Sequence, residues 1–358
     1  MRALVAALTA SLLLAGCMET SPFQGPLLVV TTEIDEPVVL TLQGDWLYVA
    51  SYDWDAKHAV MGRVDRAGGN FEVLASPPSA TRPQAMAVDA THVYWTAVAN
   101  NGGELGEIWR VAIDGGTPEL LASDQLQPCG LAHDASTIFW RARVSTADQT
   151  VIVHARSKSS GTQVASSPIT GIEVGSMSCQ LLAMPDTAAE TTLYLANGMG
   201  VSTLHRLAWN GALLAGADCT VARCGGNSST VGDYQGEPGM IGIGDNIYWA
   251  AKASSICRAA LASTCTAAPA QPPEAQQSPD RSRPAALASD GEQIYFVRGS
   301  EVGTNNDGDL GNGRVLRTDL DFNNTDTFSP WDASPRGLAV DDEFVYWGDN
   351  SRIFKTPK

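Results

Sequence analysis

Positive charge and long apolar segments are scarce in this chain. Of its 358 residues only 23 are Lys or Arg, against 39 Asp or Glu, which gives a formal net charge of -16. A nucleic-acid partner is therefore not expected, because neutralising phosphates requires clustered Lys and Arg. Beyond an apolar run near the N-terminus, no segment is long and apolar enough to span a bilayer as a helix.

Signatures of catalysis and cofactor binding are missing as well. The sequence has no GxSxG or HExxH motif, and its five histidines fall at unrelated places in the repeat described below. We therefore expect no cofactor, and a non-enzymatic role is favoured. Gly (34) and Pro (19) are abundant and charged residues make up only 17%, a composition that favours short strands and turns over long helices.

The first residues have the organisation of a secretory signal. "MRALVAALTASLLLAGC" places Arg2 before an apolar run that ends in small residues. The "LAGC" at 14–17 resembles the lipobox of bacterial lipoproteins. The resemblance implies a signal peptide at 1–16, lipidation of Cys17, a tether at 17–25 and, because Met18 follows the cysteine, the outer membrane of the cell envelope, on its periplasmic or surface side. The alternative is an ordinary signal peptide with a chance cysteine.

Six further cysteines indicate disulfides, because an even count is typical of exported chains. Two pairs would close the short segments "CTVARC" and "CRAALASTC", and the third would join equivalent positions of adjacent repeats. The predicted pairs are Cys219–Cys224, Cys257–Cys265 and Cys129–Cys179. A zinc site is the alternative for these thiols, although no CxxC spacing occurs.

A phrase near the end of the chain, "GLAVDDEFVYWGD", has a close relative at 85–97, "AMAVDATHVYWTA". Aligning on this phrase gives seven units, each with a central aromatic residue in its second strand. These aromatics are Tyr48, Tyr94, Phe139, Tyr194, Tyr248, Tyr295 and Tyr346, spaced by 46, 45, 55, 54, 47 and 51 residues. The period is that of propeller blades.

Two polar positions recur within the units. In four units an Asp lies four residues before the second strand, where its carboxylate is expected to accept hydrogen bonds from a tight turn. These residues are Asp89, Asp134, Asp290 and Asp341. The third strand of every unit carries a basic residue that we expect to hydrogen-bond to the next unit. The set is Arg63, Arg110, His154, Arg206, Arg258, Arg317 and Lys355.

The repeat predicts an all-β fold, a β-propeller of seven four-stranded blades. Six or eight blades stay open as alternatives, because units four and five are degenerate. Radial stacking is expected because a sheet that is apolar on both faces is covered only between two similar sheets. The seventh unit stops after its third strand, so "PLLVVTTEI" at 26–34 is predicted to supply the missing strand and close a single domain at 26–358. A monomer is expected.

The repeated phrases resemble the YWTD repeats of lipoprotein-receptor ectodomains, which form a β-propeller, and the exported bacterial propellers with NHL-like or TolB-like blades. The resemblance covers 36–358 as a pattern, and "VYWTA" and "VYWGD" come nearest the full signature. YWTD domains have six blades, whereas seven units are counted here. The resemblance implies that ligands bind over the central channel, at the loops that precede the inner strands and the loops that join second and third strands.

Candidate binding residues therefore come from these loops. "YDWDAKH" at 52–58 supplies four of them, and two arginines flank the prolines that precede inner strands. The set is Asp53, Trp54, Asp55, His58, Arg82 and Arg336. A longer loop at 301–313 holds Asp307 and Asp309, weak candidates for a Ca²⁺ site. A solvated Asn, Gly and Asp loop is the favoured reading there.

Two functional hypotheses follow. The first is an envelope-anchored binding or scaffold module for an unknown ligand, which could be an envelope protein or a glycan. The second is a metal-dependent lactonase or hydrolase of the propeller type. That enzyme would need three or four carboxylate or amide ligands from different inner strands, whereas the residues at the inner-strand entries are mostly Pro, Arg, Gly and Cys.

Overall fold

The structure is a computed structural model, and the regular elements that it describes are all β-strands. It describes residues 26–53, 55–77, 79, 81–99, 104–145, 151–159, 163–169, 180–185, 190–197, 202–211, 219–224, 239–251, 255–261, 276–277, 284–298, 313–329 and 335–358. Within these ranges there is no helix with the length and apolar character needed to cross a membrane.

The strands follow one another in antiparallel groups along the chain. Their bounds are β1 (Leu28–Thr31), β2 (Pro37–Gln43), β3 (Trp46–Asp53), β4 (His58–Asp65), β5 (Glu72–Ala75), β6 (Thr81–Val88), β7 (His92–Ala99), β8 (Leu105–Ala112), β9 (Glu119–His133), β10 (Thr137–Arg143), β11 (Val151–Ser157), β12 (Gln163–Ile169), β13 (Leu181–Pro185), β14 (Thr191–Asn197), β15 (Ser202–Trp209), β16 (Cys219–Cys224), β17 (Met240–Ile243), β18 (Asn246–Ala251), β19 (Ser255–Ala260), β20 (Gln276–Gln277), β21 (Pro284–Ser289), β22 (Gln293–Arg298), β23 (Arg314–Asp319), β24 (Thr325–Thr327), β25 (Arg336–Val340), β26 (Phe344–Gly348) and β27 (Ile353–Pro357).

Hydrogen bonding joins these strands into six continuous sheets, five of four strands and one of seven. The seven-stranded sheet, β6 to β12, contains two of the sequence units joined through β9. The first half of β9 pairs with β8 and the second half with β10, and Leu126 pairs with residues of both neighbours. Counted as continuous sheets of the described strands, the propeller has six blades, one of the alternatives left open above, and not the favoured seven. The seven sequence units fit into six sheets because β9 belongs to two of them.

The innermost strands of the units contact one another in a closed circle. In order these are β2, β6, β9, β13, β17, β21 and β25, and the last contacts the first. This radial arrangement is a β-propeller, as the repeat predicted. We call the face that carries the loops before the inner strands the entry face. The face that carries the turns between first and second strands is the turn face.

The N-terminal strand closes the ring, as predicted. β1 pairs antiparallel with β27, with Leu28 opposite Lys355, and completes a four-stranded sheet with β26 and β25. The hydroxyl of Thr356 donates to the carbonyl of Pro26 at 2.7 Å. The first described strand of the chain is therefore held by the last one.

The recurrent aspartates form the predicted turns on the turn face. The Asp341 Oδ1 atom accepts the backbone N–H groups of Glu343 (2.8 Å) and Phe344 (2.7 Å), and Oδ2 accepts the hydroxyl of Tyr346 (2.7 Å). The same backbone bonds recur in three other units, at Asp89, Asp134 and Asp290. The tyrosine of "VYWGD" is therefore a buried partner of its own turn.

In four places that the structure describes, the basic position of the third strand links neighbouring sequence units. Each of these side chains donates to a backbone carbonyl just beyond the third strand of the next unit. The pairs are Arg63 with Ile113 (3.1 Å), Arg110 with Lys158 (2.6 Å), Arg258 with Leu320 (2.9 Å) and Lys355 with Arg66 (2.6 Å). In the other units the same position has contacts within its own blade: His154 stacks on Trp140, Arg206 reaches Thr192 and Arg317 faces Asp326.

Packing between the blades forms the core. The second strands contribute four fully buried tryptophans, Trp95, Trp140, Trp249 and Trp347. Each apolar cluster combines residues of two neighbouring units, and the cluster that includes Val30, Leu40 and Tyr346 spans the ring closure. Burial of these faces supplies the apolar stabilisation that one sheet could not provide for itself.

The predicted disulfide pairing is wrong for two of the three pairs. The bond joins Cys224 to Cys257, with a Cα–Cα distance of 6.2 Å, and so links β16 to β19 of the next blade. Cys219 and Cys224 lie at opposite ends of β16. Five residue steps in a strand span about 16 Å, well beyond the roughly 7 Å Cα limit of a disulfide. The Cys257–Cys265 pair is excluded because Cys257 is already bonded.

The third pair stays a prediction. Cys129 is disulfide-bonded, but Cys179 lies outside the described residues, as do Cys265 and the lipidation candidate Cys17.

Candidate functional site

A cleft of about 330 Å³ opens on the entry face where the ring closes. Its lining comes from the loop before β2 and the loop after β3. In the last unit it comes from the start of β25 and the loop after β26. The lining residues are Asp35, Glu36, Asp55, Arg336 and Asn350. Four of them are exposed or half-buried, whereas Glu36 is buried.

Ring closure holds the backbone of Glu36 in place. Its N–H donates to the carbonyl of Asn350 at 3.0 Å, and its own carbonyl accepts the N–H of Tyr52 at 3.2 Å. The strand that follows has a β-bulge just after Pro37, and β25 has another at Arg336. Bulges redirect side chains at the end of a ladder, so these two strand entries can turn Glu36 and Arg336 toward each other.

Two arginines from the flanking blades converge on Glu36. The Arg82 Nη2 atom lies 3.2 Å from Oε1, and Arg336 forms an ion pair with the same oxygen. The Glu36 side chain is only 5% exposed, against 31% for Arg82 and 24% for Arg336. A carboxylate so deeply buried needs charged or hydrogen-bonding partners. The three side chains therefore form one unit across three consecutive inner-strand entries.

The second oxygen of Glu36 lacks such a partner. Oε2 is buried and accepts no hydrogen bond in the described part of the chain. A buried acceptor without a donor costs roughly 1 to 3 kcal/mol. Among the atoms of this kind in the described residues, Oε2 of Glu36 is the one on a residue that lines the cleft, so a donor placed in the cleft would satisfy it.

Burial also acts on the two guanidinium groups. It lowers the pKa of both Arg82 and Arg336. At Arg82 the electrostatic interaction with Tyr52 raises the pKa, but by less than burial lowers it. Desolvation disfavours the charged form of a base. Both arginines are still cations at neutral pH, because arginine stays protonated there.

The cleft as a whole is acidic. Two guanidinium groups, Arg82 and Arg336, face three carboxylates, Glu36, Asp35 and Asp55, which leaves a net charge of -1. Neither Asp35 nor Asp55 forms an ion pair with another residue that the structure describes. Their charge is therefore directed at solvent and at anything that enters the cleft.

The structure brings together part of the predicted site. Asp55 and Arg336 line the cleft, and Arg82 joins it through Glu36. The side chains of Asp53 and His58 bond to the turn that joins β3 and β4. The Asp53 carboxylate accepts the N–H of Ala56 at 2.8 Å, and the His58 ring contacts the carbonyl of Ala56 at 3.3 Å. Trp54, Asp307 and Asp309 lie outside the described residues.

Sequence reasoning missed Asp35, Glu36 and Asn350. A signal was available for Glu36, which precedes Pro37 just as Arg82 precedes Pro83 in the next unit. Residues of opposite charge at the same entry position of adjacent units predict a pair across the ring. Asn350 had no such signal, because its position follows from ring closure.

Metal binding has no support among the described residues. Within these ranges no group of three or more His, Cys, Asp or Glu side chains is placed to hold an ion.

Comparisons with known proteins identify the fold. No family model matches the chain, and no curated protein does. Solved structures do match. Virginiamycin B lyase from Staphylococcus aureus aligns with a TM-score of 0.60 at 13% identity, over 94% of this chain and 99% of that one. Hydrazine synthase of Kuenenia stuttgartiensis aligns with a TM-score of 0.59 at 12% identity, over 92% and 97%.

A third match is the β-propeller domain of the Trilobed protease from Pyrococcus furiosus, which has an open velcro topology. Its TM-score is 0.53 at 8% identity, and the alignment covers 90% of this chain and 96% of that one. Identities this low show a shared β-propeller fold. Function has to be argued from the site itself.

Proposed function

We propose that this chain is a non-enzymatic binding module of the bacterial cell envelope, held there by a lipid on Cys17. Its ligand or protein partner binds at the cleft on the entry face. The observation that carries the proposal is Glu36, a buried carboxylate held by Arg82 and Arg336 with one oxygen lacking a donor. Polar groups of this kind, fixed by a rigid scaffold at a concave surface, are typical of recognition sites.

The position of the cleft supports the proposal. Its lining comes from loops and strand ends, whereas the repeated aspartates and most of the basic third-strand positions are engaged in turns and interblade bonds. Those side chains stabilise the fold, which leaves the cleft residues as the candidates for contact with a ligand. Loops positioned by a rigid scaffold are where binding residues concentrate.

The binding half of the proposal is tested with the domain from residue 26 onward. The domain is used to capture envelope components, in parallel with Asp55→Asn and Arg336→Gln variants and with Asp342→Asn as a control. Asp342 is exposed beside a turn on the opposite face. We expect one component that the wild type and the control retain and that at least one cleft variant loses. Equal retention by all four proteins contradicts a binding site in this cleft.

The anchor is tested separately in the full chain. Cys17→Ser should move the protein from the membrane pellet to the soluble fraction, because lipidation requires the thiol. A variant that still pellets would refute the lipid anchor. A divalent ion that stays tightly bound through purification would instead favour the metal-dependent hydrolase.

A further inference from the structure

We propose that the cleft recognises a cationic nitrogen group, a primary ammonium or a guanidinium, which inserts between Asp35 and Asp55 and donates to Glu36. The inference rests on the proposed function, because it names the ligand chemistry of the same site. It depends on the charge of the lining, the missing donor at Glu36 and the position of Arg336.

The charge of the lining selects the sign of the ligand. Asp35 and Asp55 are exposed and form no ion pair with a described residue, so they hold two uncompensated negative charges at the mouth of the cleft. The chain has a formal net charge of -16. A concave site with a net negative charge concentrates cationic ligands and repels anionic ones.

The hydrogen-bonding state of Glu36 selects the kind of cation. Oε2 is an acceptor without a donor, so it is satisfied by an N–H or O–H group and not by another oxygen acceptor. A simple metal ion would need several oxygen ligands around it, and no such group occurs among the described residues. An organic ammonium or guanidinium supplies both the positive charge and the donors.

Arg336 is the cation that competes with the ligand. Its guanidinium is paired with Glu36 and is 24% exposed, whereas Oε2 is shielded from solvent. Arg336 also lines the cleft, so it is the cation that an ammonium beside Glu36 meets and repels. Arg82 also pairs with Oε1, so Glu36 keeps a counter-charge when Arg336 is replaced.

This geometry predicts effects of opposite sign for two variants. Asp55→Asn removes a charge that attracts the ligand, so binding should weaken about three-fold, the scale of one partly exposed ion pair. Arg336→Gln removes the competing cation, so binding should tighten by a similar factor. An anionic ligand would reverse both effects, and a neutral sugar bound by hydrogen bonds would be weakened by both variants.

The experiment titrates the domain from residue 26 onward with defined probes, followed by NMR. The cationic probes are n-butylammonium and ethylguanidinium, the anionic probe is butyrate and the neutral one is methyl glucoside. A second arm compares the acetylated, amidated tripeptide Gly-Lys-Gly with the same peptide carrying norleucine in place of lysine. If the lysine peptide binds more tightly than n-butylammonium, the source is a protein side chain. If the lysine peptide and n-butylammonium bind equally tightly, a free amine is the favoured source.

Wild type, Asp55→Asn, Arg336→Gln and the control Asp342→Asn are compared with each probe. Asp55 has no bond to lose, so its variant should keep the melting temperature of the wild type and stays informative even if Arg336→Gln folds poorly. The expected result is cation binding that weakens in Asp55→Asn, tightens in Arg336→Gln and is unchanged in the control. The inference is overturned if no cationic probe binds, or if Asp55→Asn binds the cationic probes as tightly as the wild type.

Failure of this inference is distinguishable from failure of the proposed function. If the capture experiment shows a component that depends on Arg336 or Asp55 while no cationic probe binds, the cleft is a binding site for other chemistry. If neither experiment shows dependence on the cleft, both proposals are refuted.

Discussion

Removing the Asp341 carboxylate should destabilise the propeller by breaking a turn and leaving a buried hydroxyl without its acceptor. Asp341→Ala breaks two backbone hydrogen bonds, at 2.8 and 2.7 Å, and the bond from the Tyr346 hydroxyl at 2.7 Å. Glu343 is exposed, so water can replace its lost bond. Tyr346 is 1% exposed, and its hydroxyl would be left in the core without this acceptor.

The magnitude follows from these three bonds. The two backbone bonds contribute about 1 kcal/mol each, and stranding the hydroxyl adds about 1 to 3 kcal/mol. We expect Asp341→Ala to lower the free energy of unfolding by about 3 to 5 kcal/mol. Asp341→Asn keeps an acceptor for the turn and should cost about 1 to 2 kcal/mol, since it loses the charge. Tyr346→Phe should cost about 1 kcal/mol, because its partner Asp341 lies partly in solvent.

Urea denaturation followed by tryptophan fluorescence measures this series. Asp342→Ala is the matched control, because Asp342 is the next residue in the same turn and is exposed. It should lie within about 0.5 kcal/mol of the wild type, as surface substitutions generally do. If Asp341→Ala lowers the free energy of unfolding no more than Asp342→Ala does, the bonds of Asp341 do not contribute the stability assigned to them.

Three further predictions concern pH, the ring closure and the disulfide. Burial would raise the pKa of Asp341, but the hydrogen bonds of the Tyr346 hydroxyl and the turn outweigh it, so the pKa lies below its ordinary 3.8. The stability from this depressed pKa is present above pH 3.8 and is lost as the pH falls through the lower folded value. Urea midpoints of the wild type should therefore fall toward those of Asp341→Asn in acid. Lys355→Met removes the donor to the carbonyls of Arg66 and Ala67 and should cost about 2 kcal/mol, measured in the same assay. Replacing Cys224 and Cys257 by Ala opens a 33-residue loop and should cost about 3 to 4 kcal/mol; peptide mapping of the oxidised wild type should recover that pair.

Each of these predictions has a result that would refute it. An acid dependence equally steep in Asp341→Asn would show that other groups cause it. A Lys355→Met variant with wild-type stability would show that the interblade bond is replaced by water. Recovery of a Cys219–Cys224 peptide would contradict the disulfide described here.

Features set by local repetition could be predicted from the sequence. The turn aspartates and their aromatic partners recur at a fixed offset, because one turn geometry demands the same residue at the same place. The third-strand cations recur for the same reason, and four of them make the predicted interblade bonds. The closing strand was predictable because the last unit lacks an outer strand.

Features that depend on contacts between distant residues were predicted less well. The disulfide prediction followed the shortest loops, but extended backbone separates Cys219 from Cys224 and places Cys257 of the next blade beside the latter. Only some of the residues of the cleft were predicted, for a related reason. Asp55 and Arg336 lie in loops that the repeat identifies, whereas Glu36 gains its role from residues 46 and 300 positions away that meet only when the ring is closed.

The direction of β1 has a consequence for how the molecule is presented. β1 enters its sheet near the turn face, opposite Lys355, and runs toward Glu36 and the entry face. Whatever is attached before Leu28 therefore joins the outer rim at the side away from the cleft. An attachment made directly before Leu28, for example to an engineered surface, would leave the opposite face and its cleft uncovered.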